Sequence, residues 1–148
     1  MKKQVLTIIA LLSFIFTLAI AGSVTGRMMT IDIPFDFTVG NKSLPAGHYT
    51  IERVNGGVES LAIHCNETNT SVMTLTYSGK SIKEETPASL VFRHYGDTYF
   101  LTEVWEQGRD AARQLPQSSA ERAFQKKRSH LSDVAQAEII TIVAQKSN

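Results

Sequence analysis

The chain reads as a mainly β domain, an antiparallel barrel or sandwich of about seven to eight strands with one short helix in its C-terminal half. Three observations predict this class. Apolar and polar residues alternate with period two in successive short runs, turn signals separate those runs at short intervals, and only one stretch, late in the chain, has helical character. No alternation of strands and helices of the α/β kind is present.

The first segment stands outside the domain. Lys2 and Lys3 precede an apolar run from Val5 to Ala21 that ends in Ala19-Ile20-Ala21. A basic start, an apolar middle and an A-x-A end make a secretory signal peptide, residues 1–21, which is removed and takes no part in folding. An uncleaved anchor is the rival reading, since the run sits at the lower edge of the roughly 17–25 residues that span a bilayer. Thr7, Ser13 and Thr17 dilute the run, and no mature-end cysteine is present to carry a lipid. Export to the periplasm or beyond the cell is the expectation.

Removing residues 1–21 leaves 127, enough for one self-supporting domain, placed here at residues 28–144. With Lys2 and Lys3 gone, 15 basic side chains fall to 13 against 14 acidic, and a nearly neutral chain offers no bulk field for nucleic acid. Export permits disulfides, but the single cysteine, Cys65, cannot form an internal one. It is either a small buried apolar residue or the thiol of an intermolecular bridge; sharing a strand face with Leu61 and Ile63 favours burial.

The first strand is the clearest. From Thr30 to Val39 every odd position is apolar, so Ile31, Ile33, Phe35, Phe37 and Val39 should face a core. Pro34 lacks an amide hydrogen, which makes this an edge strand or breaks it there. Gly40-Asn41 turns the chain, and Leu44-Pro45-Ala46-Gly47 turns it again before a strand from His48 to Val54 with Tyr49 and Ile51 on one face. Asn55-Gly56-Gly57 then predicts a hairpin into Glu59–Cys65. A third pass, Ser71 to Tyr77, should carry Met73, Leu75 and Tyr77 inward and Thr74 and Thr76 outward.

After a polar link at residues 79–87, a second hairpin is expected from Ala88–Tyr95, the turn Gly96-Asp97 and Thr98–Glu106. A two-residue turn fixes the register, setting Phe92 opposite Leu101, Leu90 opposite Glu103 and Ala88 opposite Trp105. Glu103 then lies on the apolar face, so either a β-bulge intervenes or a carboxylate is buried with a partner; the bulge is the simpler solution. Ser118 or Ser119 caps a helix near residues 119–131, with Glu121 in its first turn and an apolar stripe of Ala120, Ala123, Phe124 and Leu131. Residues 138–144, rich in isoleucine and valine, close the chain as a strand.

Chemistry-bearing residues do not assemble in this reading. His64 and Cys65 are adjacent and must point to opposite strand faces, and His48, His94 and His130 lack metal-ligand spacing. Glu84-Glu85 sits in a solvated loop that would not split two carboxyl pKa values. No metal, no cofactor and no catalytic residue is therefore expected. Phe92, Leu101 and Trp105 are the candidate lining of an apolar ligand pocket, and Arg122, Lys126, Lys127 and Arg128 a candidate surface contact for anionic headgroups. Because the apolar stripe beside those cations is thin, membrane contact after signal cleavage is not the expectation.

The order of Ile33-Pro34-Phe35-Asp36-Phe37-Thr38-Val39-Gly40, Leu44-Pro45-Ala46-Gly47-His48-Tyr49-Thr50-Ile51, Tyr95-Gly96-Asp97-Thr98-Tyr99-Phe100-Leu101 and Arg113-Gln114-Leu115-Pro116 resembles a family of small exported bacterial β-rich proteins. The resemblance spans most of the mature chain and implies a signal peptide, a β-rich body and a short helical segment. Its motifs are turn and core signals, and they transfer no site residues. The expected role is a non-enzymatic exported β-domain, a structural or protein-interaction module of the cell envelope, whose edge strand near Pro34 could pair with a protein partner. The alternative is a small barrel binding an apolar small molecule or lipid, and a hydrolase built from scattered residues is a third reading.

Overall fold

A computed structural model describes residues 26–54, 59–81, 87–129 and 137–144. The expected signal peptide, the 55–57 turn, Glu84-Glu85, His130 and Leu131 lie outside the described residues.

Among the described residues strand β1 (Gly26–Ile33) pairs only with β4 (Gly47–Val54), which makes it an edge strand, and it buries Met29, Ile31 and Ile33. Both consequences expected of Pro34 occur together. The strand stops before it, and the chain crosses to the opposite sheet, where β2 (Phe37–Val39) lies parallel to β9 (Thr98–Trp105). A hydrogen bond steadies the crossing: the Asp36 carboxylate accepts from the Ala46 amide at 2.8 Å. Gly40, at φ +60°, turns β2 into its antiparallel partner β3 (Lys42–Leu44).

The first sheet has the order β1-β4-β5-β6, with β5 at Ser60–Cys65 and β6 at Ser71–Leu75, all antiparallel. The second runs β11-β8-β9-β10-β7, with β7 at Tyr77–Ser81, β8 at Ser89–Tyr95, β10 at Ala111–Gln114 and β11 at Glu138–Val143. No ladder joins one sheet to the other, so the fold is a sandwich and not a closed barrel. The strands outnumber those expected because Pro34 and Thr76 each divide a run, and because β3 and β10 are short. Thr76 marks the β6–β7 corner: its amide and hydroxyl both donate to the Glu59 carbonyl, at 2.7 and 3.2 Å.

Between the sheets, Tyr49, Ile51, Leu61, Ile63 and Cys65 meet Phe37, Val39, Leu90, Phe92, Leu101 and Val104. Phe35 and Phe37 both set their rings edge-on to Phe92, at centroid distances of 5.2 and 5.5 Å. At one end of the sandwich, ion pairs tie the two sheets together. Glu106, beyond β9, accepts from Arg53 of β4 and from Arg113 of β10 at 3.2 Å, and Arg113 also reaches Glu59 at 3.4 Å.

The second hairpin turns at Gly96, φ +65°, with Tyr95 opposite Thr98 as the two-residue turn requires. Phe92 faces Leu101, again as expected. Beyond that pair a bulge at Thr102 changes the register, so Leu90 meets Val104 rather than Glu103, and Ser89 rather than Ala88 meets Trp105. The extra residue is anchored: the Thr102 hydroxyl donates to the Val91 carbonyl at 3.0 Å, and its own carbonyl accepts from the Leu115 amide at 2.8 Å. Glu103 thereby leaves the core face and accepts from Trp105 Nε1 and Gln114 Nε2, both at 3.1 Å.

Helix α1 (Ser119–Ser129) is capped by Ser118, whose hydroxyl accepts from the Glu121 amide at 3.0 Å, and by the Asn41 side chain, which accepts from the Ala120 amide. It covers the outer face of the second sheet. The expected apolar stripe does not make that contact alone, because Ala123 is exposed. Glu121 is the buried residue of the helix, 3% exposed, and accepts from Arg93 Nη1 and the Tyr95 hydroxyl, both at 3.0 Å. Phe124 adds ring contacts with Tyr95 and Phe100 at 6.0 Å.

Candidate interaction surface

The expected pocket residues separate. Phe92 and Leu101 are both core residues between the sheets, packed against the aromatic rings that fill that space. Trp105 is also buried, but the Thr102 bulge places it on the opposite face of β9 beside Glu103. The three residues do not line one cavity.

The basic helix residues also divide. Arg122, Lys126 and Lys127 are exposed, and Arg122 donates to the Gln117 carbonyl at 2.7 Å. Arg128 is half-buried and lays its guanidinium against the Gly96 turn, where a side chain on residue 96 would meet it. Three exposed cations remain, and among the described residues of the helix the large apolar side chain, Phe124, packs on Tyr95 and Phe100 and does not stand out beside them. Among the described residues no helix is long and apolar enough to cross a membrane.

The titratable groups inside the fold are held by structural partners. The Cys65 thiol is fully buried; hydrogen bonding from Thr68 draws its pKa below the ordinary thiol range against the opposing effect of burial. Burial raises Tyr49, whose hydroxyl donates to the Pro45 carbonyl at 2.6 Å. It also raises Tyr95, where Gln125 opposes the shift and Glu121 adds to it. Arg93 loses some basicity to burial but gains more from Glu121, so its pKa is raised. His64 shares a hydrogen bond with Ser71 at 2.7 Å and turns away from Cys65. No group of three or more His, Cys, Asp or Glu side chains suited to a metal is present among the described residues.

The feature that stands out is apolar and peripheral. Met73 and Leu75 of β6 and Tyr77 at the start of β7 are 67%, 60% and 50% exposed. The sequence pattern placed these three inward, and the structure turns them out. The reason is the register of the preceding hairpin. Five residues, 66–70, connect β5 to β6, with Asn69 at φ +52°, and the Cys65 amide donates to the Thr70 carbonyl at 2.8 Å, closing a loop of residues 66–69. Inward Ile63 and Leu61 therefore meet Val72 and Thr74, and the odd positions of β6 go outside. Counting that loop against the inward face of β5 was the signal that would have found them.

The backbone completes this surface. Bonds at 65–70 and at 59–76 fix the alternation, so even-numbered residues of β6 bond to β5 while Ser71, Met73 and Leu75 aim their amides and carbonyls at the open edge. Lys42 Nζ closes one end by donating to the Ser71 carbonyl at 3.1 Å. At the other end the Thr74 hydroxyl donates to the Leu75 carbonyl at 3.3 Å, and between them Met73 joins an exposed apolar side chain to backbone groups that, among the described residues, no strand engages. No protein-family model, curated protein or solved structure matches this chain.

Proposed function

We propose that the chain is an exported, non-enzymatic β-domain that acts as a structural or protein-interaction module of the cell envelope. The single observation behind this reading is the β6 edge, where Met73 and Leu75 offer exposed apolar side chains on a strand that, among the described residues, no other strand flanks on its outer side. Such an edge accepts an extended segment of another protein by strand addition: main-chain hydrogen bonds supply affinity, and alternate side chains supply selectivity. The signal-peptide pattern at residues 1–21 supports an envelope location for that partner. Packing of Phe35 and Phe37 against Phe92 favours this reading over an apolar small molecule held between the sheets.

The test is recovery of the protein from its native envelope, with mass spectrometry of what accompanies it and of its own N-terminus. A mature start after Ala21 and one protein partner, lost in a Met73→Lys, Leu75→Lys double variant that still folds, is the expected result. A partner retained by the double variant, or a co-purifying lipid in its place, overturns the reading.

A further inference from the structure

The far edge of the second sheet carries a different surface, independent of β6. Among the described residues β11 pairs only with β8, and its outward residues Ile139 and Val143 are 60% and 51% exposed, with Thr141 exposed between them. The Ala144 amide donates to the Ala88 carbonyl at 2.8 Å. In an antiparallel ladder bonded pairs alternate, so 142 with 90, 140 with 92 and 138 with 94 are bonded, and residues 139, 141 and 143 turn their backbone groups to the open edge. We propose that β11 is a self-pairing edge, on which two copies of this chain join antiparallel about Thr141 and merge their second sheets across a two-fold axis.

The sequence of the strand selects a second copy as the occupant. Around Thr141 it is palindromic in shape: Ile140 matches Ile142, and Ile139 matches Val143. A two-fold interface requires this kind of self-complementarity, because each residue meets its mirror position in the other copy. Ile139 would lie beside the second copy's Val143 and Thr141 beside the second copy's Thr141, pairings of β-branched residues that favour sheets. On the inner face, half-buried Ile140 and Ile142 would meet each other's counterparts and extend the core layer.

Charge fits the same register. Glu138 is the one charged residue between positions 137 and 144, and it is already engaged by His94 Nδ1 at 3.2 Å. Pairing about Thr141 sets it opposite the second copy's Ala144, which leaves the two Glu138 carboxylates about 20 Å apart along the strands. A shift of two residues that moves the axis to Ile140 would instead press Glu138 against the second copy's Ile142. The contact is one short strand per copy, below the ~1,200 Å² of standard stable interfaces, so a micromolar or weaker dimer is expected.

Sedimentation velocity on the protein expressed from the full sequence, over a concentration series up to about 500 µM, reads this association. A reversible dimer is expected. Thr141→Pro removes an amide that bonds to nothing within the sheet, and Ile139→Lys alters a side chain already in water, so both should keep the native circular dichroism and thermal transition. Each should weaken the dimer at least about tenfold. Thr141→Cys, lying on the axis, should cross-link two copies on mild oxidation, since bonded antiparallel pairs hold their Cα atoms about 5.5 Å apart, within disulfide reach. Buried Cys65 does not compete for that bond. A wild-type chain that stays monomeric throughout the series, or a dimer unaffected by both T141P and I139K, overturns the proposal.

Discussion

Replacing Glu121 by alanine should loosen the helix from the sheet at a cost of about 2–3 kcal/mol. The carboxylate is almost wholly buried and receives two hydrogen bonds, from Arg93 and Tyr95, both at 3.0 Å. Bonds to a buried charge contribute roughly 1.5–3 kcal/mol each, which would suggest a larger loss. Two features reduce it. The Arg93 side chain is 39% exposed, so water can re-solvate its guanidinium, and the Tyr95 hydroxyl keeps Gln125 as a partner. Glu121→Gln, which preserves shape and one acceptor, should lose about half as much.

Urea unfolding followed by the fluorescence of the single tryptophan, Trp105, and by far-ultraviolet circular dichroism measures the change. For a domain of this size the alanine variant should melt roughly 6–10 °C lower. A double-mutant cycle with Arg93→Met isolates the pair and should return a coupling of about 1 kcal/mol. An alanine variant within about 0.5 kcal/mol of the parent would refute the latch and leave the ring contacts of Phe124 to hold the helix.

Two further outcomes are expected. Tyr49 and Tyr95 are raised in the folded state, so stability is fully present below their unfolded value near pH 10 and falls above it, at about 1.4 kcal/mol per pH unit for each. Tyrosinate absorbance should therefore show these two phenols ionising in step with loss of circular dichroism, and ionisation of all four tyrosines with the fold intact would contradict their burial. Cys65 should resist a thiol reagent in the native protein and react fully in denaturant, because access limits the rate even though Thr68 favours the thiolate. Rapid labelling of native protein would instead support the intermolecular-bridge reading of this thiol.

Local signals carried the parts of the fold that a turn or a strict alternation decides. The strand before Pro34, the Gly96-Asp97 hairpin, the Thr102 bulge inferred from a misplaced Glu103, and the shared face of Leu61, Ile63 and Cys65 were all legible in the residues. β6 was not, because period two assigns two faces without saying which is inside, and the loop at 66–69 makes that choice. The composition of β10, Ala-Ala-Arg-Gln, contains no strand former, and tertiary pairing with β7 and β9 overrides it. Glu121 was read only as a first-turn charge suited to the helix dipole, and its burial depends on Arg93 and Tyr95, distant in sequence. The exposed apolar edge of Met73 and Leu75 was missed for the same reason.

The parallel contact of β2 with β9 has a kinetic consequence. Phe37 meets Tyr99 and Thr38 meets Phe100, partners about sixty residues apart, and β2 is tied to β1 by only the few residues around Pro34. A chain that emerges N-terminus first, from a ribosome or through an export channel, delivers β1 and β2 early but must wait for β9 before both can settle. Until then the first sheet has no lid over its apolar side. Closure of the sandwich is thereby deferred until most of the sequence has been delivered, which concentrates folding into a late step.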